Sequence, residues 1–153
     1  MCHMAQCAFR FVLPVRYVGS ARLLLWVDRE ARTRTCLLRL GEDGVIDCEV
    51  VAGTEASGED AAANVRAVRA LIGEAGRASV LVDMRGTKAV SRAAREYYEG
   101  DDCTKVIAAA ALLVESPLSR AIGNFFIRVT KTKVQLKLFS SASEARTWLL
   151  TLR

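Results

Sequence analysis

The chain has 153 residues, 52% of them apolar and 25% charged, with a formal net charge of +5; it is long enough for one domain with a substantial core, and this composition excludes a disordered chain. The excess charge sits in residues 1–35, where six arginines face only Asp28 and Glu30. The remainder carries sixteen basic and fifteen acidic residues, which excludes the basic stripe that binding to DNA or RNA requires.

Residues 1–35 lack clear periodicity and end in "DREARTRT", which reads as a solvated connector. They are expected to form an extension, disordered or loosely docked. An added strand and an arginine-rich amphipathic segment on an anionic membrane surface are the alternatives. The run "FVLPVRYVGSARLLLWV" comes closest to a spanning segment, but Pro14, Arg16, Gly19 and Arg22 interrupt it. No apolar core leads to a small-residue cleavage site, so the expectation is a cytoplasmic protein without a transmembrane segment.

Residues 36–153 are expected to form the domain proper. "CLLRLGEDGVIDCEVV" is two apolar runs joined at Asp43-Gly44, a hairpin signal because glycine tolerates positive φ. "SGEDAAANVRAVRALIGEAG" places Ala61, Val65, Val68, Leu71 and Ile72 on one helical face, with Ser57 and Asp60 at capping-box spacing. "ASVLVDM" reads as a buried strand ending at Asp83, "RGTKAV" as a loop, and "SRAAREYYEG" as a helix capped by Ser91. "KVIAAAALLVE" is read as a second buried strand in preference to a helix, because it is short and bounded by loop signals.

A helix follows, with Ser116 as N-cap, Pro117 at its first position, and Ile122, Phe125, Phe126 and Val129 facing inward. "KTKVQLKLFS" alternates as a half-exposed strand, whose Lys133 and Lys137 discourage pairing if it lies at a sheet edge. The last helix, "SSASEARTWLLTLR", has Ser141 and Glu144 at capping-box spacing and a stripe of Ala145, Trp148, Leu149 and Leu152. The order β-β-α-β-α-β-α-β-α implies an α/β fold: a mixed, mainly parallel sheet of about five strands with helices packed on it.

Little in the chain supports catalysis. The single histidine, His3, lies near a terminus, which removes serine- and cysteine-nucleophile chemistry that depends on a histidine base. The five cysteines (Cys2, Cys7, Cys36, Cys48 and Cys103) include no C-x-x-C pair, so reduced, mostly buried thiols are expected rather than a disulfide framework or a zinc site. "GEDGVID" lacks the spacing and the lysine of a phosphate loop. "YYEGDDC" reads as a polar turn rather than as a metal site or an acid–base pair. No catalytic residue, metal or cofactor is therefore assigned.

In open α/β sheets, ligands gather at the carboxyl ends of the strands. If the "ASVLVDM" and "KVIAAAALLVE" strands are neighbours, Asp83, Arg85, Ser91 and Arg92 face Ser116, Ser119 and Arg120 across one edge. Helix N-termini there would favour a phosphate or an acidic partner. The competing reading is that the serines cap helices and the arginines are solvated.

The order and three segments, "VLVDMRGTKAVSRAAREYY", "AAAALLVESPLSRAIGNFF" and "KLFSSASEARTWL", resemble the STAS superfamily of anti-sigma-factor-antagonist-like domains. More closely, they resemble a bacterial STAS-like and CRAL-TRIO-like group of unknown function. The resemblance covers about Cys36 to Leu152. It implies a non-enzymatic regulatory or protein-interaction module with a protein partner, working through the Ser91 and Ser116 helix starts. It also implies a phosphoacceptor serine near Ser91, although the acidic residue before it and the glycine after it are missing here. The CRAL-TRIO-like alternative is a protein that binds a small apolar or lipid ligand, with Phe125 or Phe126 lining the pocket; an uncharacterised enzyme is the third reading.

Overall fold

The computed structural model describes residues 29–152 except 75 and 130–133, with side chains left out of the description at 123 and 125–129. Each helix and strand expected from the sequence forms. The hairpin is β2 (Cys36–Leu40) and β3 (Val45–Val50), turning through Gly44 at φ 72°. Helix α1 (Gly58–Ile72) leads to β5 (Ala78–Asp83), α2 (Arg92–Glu99), β7 (Ile107–Leu113), α4 (Pro117–Val129), β8 (Gln135–Phe139) and α5 (Ala142–Leu150).

Four short elements join these; only the first, an added strand in residues 1–35, was among the sequence readings. The end of the arginine-rich connector adds β1 (Glu30–Arg32), antiparallel to β2. The segment read as a loop after β5 contains β6 (Thr87–Val90), which pairs in parallel with β4 (Thr54–Ala56) as a separate two-stranded sheet. The "YYEGDDC" turn contains a one-turn helix, α3 (Asp101–Thr104). The main sheet consequently has six strands, in the order β1-β2-β3-β5-β7-β8, parallel from β3 onward. β8 is an edge strand, and Lys137 lies 5.2 Å from the Phe139 ring centre.

The sheet is covered on both faces. On one, Ala145 and Leu149 of α5 pack on Val45, Leu81, Ala109, Ala111 and Leu113, and the Trp148 ring lies tilted against Phe139 with centroids 5.6 Å apart. The run of alanines in β7 suits this arrangement, because small side chains let α5 lie close. On the other face, Val65, Val68 and Leu71 of α1 pack on Leu38, Ile46, Val80 and Leu112. Tyr97, Tyr98 and Cys103 extend this layer, and Ile122 of α4 joins it. Phe125 and Phe126 lie outside the residues whose side chains are described.

Local chemistry sets the helix ends. Ser57 and Asp60 form a reciprocal capping box, with Asp60 N donating to Ser57 Oγ and Ser57 N to Asp60 Oδ2. Arg34 adds Nε and Nη2 bonds to the Asp60 carboxylate, at 2.8 and 2.5 Å, and so ties the segment before β2 to α1. Ser141 caps α5 through its hydroxyl, which accepts from Glu144 N.

Candidate functional site

Strands β5 and β7 are neighbours, with Asp83 in register with Leu113, so the loops at their carboxyl ends meet. Asp83 ends β5 and accepts from Arg85 through N (3.1 Å), Nε (2.9 Å) and Nη2 (2.6 Å). This guanidinium holds the Asp83 carboxyl below its ordinary range. Arg85 also lies 3.7 Å from Glu115. An incoming phosphate would have to displace one of two carboxylates to reach this arginine.

The serines at this edge are engaged in capping. Ser116 Oγ accepts from Ser119 N (3.0 Å), and Ser119, fully buried, accepts from Glu115 N and Ser116 N (both 3.1 Å). Arg120 is exposed one residue further on. Ser91 and Arg92 lie beyond β6. There Ser91 Oγ accepts from Ala94 N (3.1 Å), and Arg92 forms an i,i+4 ion pair with Glu96. Among the described residues, no hydrogen bond or ion pair joins Ser91 or Arg92 to the Asp83–Ser116 group. The structure thus brings Asp83, Arg85, Ser116, Ser119 and Arg120 to the ends of two neighbouring strands, while Ser91 and Arg92 follow β6, which packs against α4.

A second feature was not foreseen in position. Between the sheet and α1, α2 and α3 lies a cavity of about 140 Å³. Its floor is the α1-facing side of the sheet, where Val80, Ala110 and Leu136 lie side by side in register, next to the row Cys48, Val82 and Leu112. Val65 and Val68 of α1 with Tyr98 and Cys103 form the roof. Thr54, Ala56, Thr87 and Val90 of the small β4–β6 sheet, together with Met84, close the end nearest the strand carboxyl termini. The lining is overwhelmingly apolar.

The geometry has identifiable causes. Ala110 puts a single methyl in the middle of the floor, between two larger residues. The β4–β6 sheet is held in place by a close backbone crossing in which Gly53 N donates to Gly86 O (2.9 Å). A Cβ at Gly86 would meet Val50 O at 2.9 Å, so only glycine fits there.

Polar groups in the wall fall into two sets. Asn64 Nδ2 donates to Thr35 Oγ1 and to the Tyr98 hydroxyl (both 3.1 Å), while its Oδ1 accepts from Thr33 Oγ1 (2.6 Å). The Asn64 amide is thus paired through both its atoms, and burial pushes the Tyr98 hydroxyl well above its ordinary value. Thr87 differs, because its hydroxyl is buried without a hydrogen-bond partner. The three thiols on the wall, Cys36, Cys48 and Cys103, are free and buried. Cys48, hydrogen-bonded to Cys36 and desolvated, is held well above its ordinary value, and burial raises Cys103 to about 11.

No helix among the described residues is long and apolar enough to cross a membrane. Residues 40–153 match the family model of a domain of unknown function, DUF7793. A solved structure from Shewanella loihica PV-4, an uncharacterised DUF3478-family protein with a SpoIIAA-like fold, aligns with a TM-score of 0.54 at 15% identity, over 74% of this chain and 91% of that one. A protein of unknown function from Arthrobacter sp. FB24 is 32% identical over 73% of this chain and 90% of its own, with a TM-score of 0.27. No curated protein matches. The fold is therefore SpoIIAA-like, which bears out the STAS resemblance at the level of architecture.

Proposed function

The chain belongs to the DUF7793 family, and we propose that it is a STAS-like binding module that takes a small apolar ligand between its sheet and α1. The observation that supports this most is the apolar cavity itself. Its volume of about 140 Å³ and almost wholly apolar wall suit an apolar body about the size of one ring. A ligand seated there would gain dispersion contacts along this lining. The domain is taken to lie in the cytoplasm and to run from about residue 36, a start supported by the family match from residue 40, with residues 30–34 of the extension docked on it through β1 and Arg34.

The test is titration of toluene into methyl-labelled protein, followed by NMR. The expected result is saturable, one-site shifts at Val65, Val80, Val82 and Leu112. No saturable shift at these methyls would overturn the reading.

The second reading is regulatory docking of a protein partner at the strand-end edge, with Ser91 as phosphoacceptor. It draws on the SpoIIAA-like fold and on the exposure of Ser91 at the N-terminus of α2, where a phosphate would meet unpaired helix N–H groups. Phosphopeptide mapping of protein from its native cells tests it: modified Ser91 supports the switch, and unmodified Ser91 under all growth conditions removes it.

A further inference from the structure

We infer that the cavity ligand is a neutral molecule about the size of one six-membered ring, carrying a single hydroxyl or carbonyl group that hydrogen-bonds to Thr87. The inference rests on the ligand-binding reading above and adds the chemical class of the ligand.

Thr87 is 7% exposed, lines the cavity, and its Oγ1 has no hydrogen-bond partner. Its surroundings make this unusual. Thr54, its register partner on β4, donates its hydroxyl to Val51 O at 2.7 Å. The Asn64 amide, also on the wall, is paired with Thr33, Thr35 and Tyr98. Buried polar groups are nearly always paired, and leaving one unpaired costs ~1–3 kcal/mol. A water would satisfy it only with two to four polar partners around it, which a largely apolar wall supplies poorly. A ligand hydroxyl or carbonyl would complete the wall.

Charge narrows the class further. Among the described residues lining the cavity, the one charged group is Glu99. Among these described residues a carboxylate or phosphate would meet no cation and one like charge, at high desolvation cost. A neutral group avoids that cost. The volume limits the apolar body to roughly one aromatic ring or a short alkyl chain.

The test measures, by calorimetry, the affinities of the full chain for toluene, benzyl alcohol, benzoate and benzylamine, using wild type, Thr87→Val and Thr87→Ser. Valine keeps the β-branched shape and removes the hydroxyl; serine keeps the hydroxyl. The expected result is that Thr87→Val weakens benzyl alcohol about tenfold while toluene is unchanged, and that Thr87→Ser retains the alcohol. Unliganded Thr87→Val is also expected to melt higher than wild type, because the orphaned hydroxyl is gone. Toluene binding with benzyl alcohol insensitive to Thr87→Val would overturn this inference but leave the ligand-binding reading standing. So would tighter binding of benzoate or benzylamine than of benzyl alcohol. Absence of binding by all four probes would overturn both.

Discussion

Ala110→Leu is the most informative perturbation of the core. Ala110 is 7% exposed, sits in mid-β7 between Val80 and Leu136, and contributes to the cavity floor. The substitution adds three carbons, worth ~0.8 kcal/mol each if buried without strain. Ordering the leucine side chain costs ~0.5–1 kcal/mol, and burial figures of this kind are upper bounds. The net expectation is a gain of about 1–1.5 kcal/mol. In a filled core the same change would overpack, costing ~1–3 kcal/mol. The sign of the effect therefore decides whether the space exists. Urea unfolding measures it, and a toluene titration of the variant measures the consequence for binding. Stabilisation with loss of toluene binding is the expected pair of outcomes. Destabilisation by about 1 kcal/mol or more would refute the reasoning.

Three further outcomes are expected. Gly86→Ala places a Cβ 2.9 Å from Val50 O and 3.0 Å from Ala52 Cα, backbone atoms that cannot rotate away, so stability should fall by roughly 1–3 kcal/mol in urea unfolding. Ser57→Ala removes the capping hydroxyl of α1 and one of the bonds holding Asp60, with an expected loss of ~1 kcal/mol, or about 2–4 °C in Tm. The Cys103 thiol is raised by burial from 9.0 to about 11, so the native state keeps a proton that the unfolded state has lost between those values. The stability from this group is complete below pH 9 and is lost as pH rises towards 11. Cys103→Ala should accordingly flatten the fall in stability across that window by on the order of 2–3 kcal/mol. Parallel pH curves for the two proteins would contradict the assignment.

The larger architecture was legible because its signals are local. The alternation of β2 and β3, the α1 stripe and the serine caps at Ser57, Ser91 and Ser116 each state a backbone preference within a few residues. "KVIAAAALLVE" was ambiguous by propensity, and its flanking loops identified it as a strand. β4 and β6 were missed because strands of three and four residues carry no readable alternation, and their pairing depends on the glycine crossing at Gly53 and Gly86. The cavity was not legible in place, because apolar composition does not reveal where side-chain volumes fail to fill a layer. One signal was available: Asn64 shares the buried stripe of α1 with Ala61, Val65 and Val68, and a polar residue there demands partners. Thr87, in a segment read as a loop, gave no such warning. At the strand-end edge the pairing of the residues was not legible. Arg85 is two residues from Asp83, and that spacing lets it fold back onto the carboxylate.

The central claim is that an apolar space large enough for a ligand lies between the sheet and α1. Crystals of the protein pressurised with xenon test it most directly, since xenon enters dry apolar cavities and is located by its anomalous scattering. The account predicts a strong xenon site bounded by Val68, Val80, Ala110 and Leu112. A core with no xenon there, its volume filled by side chains, would contradict it.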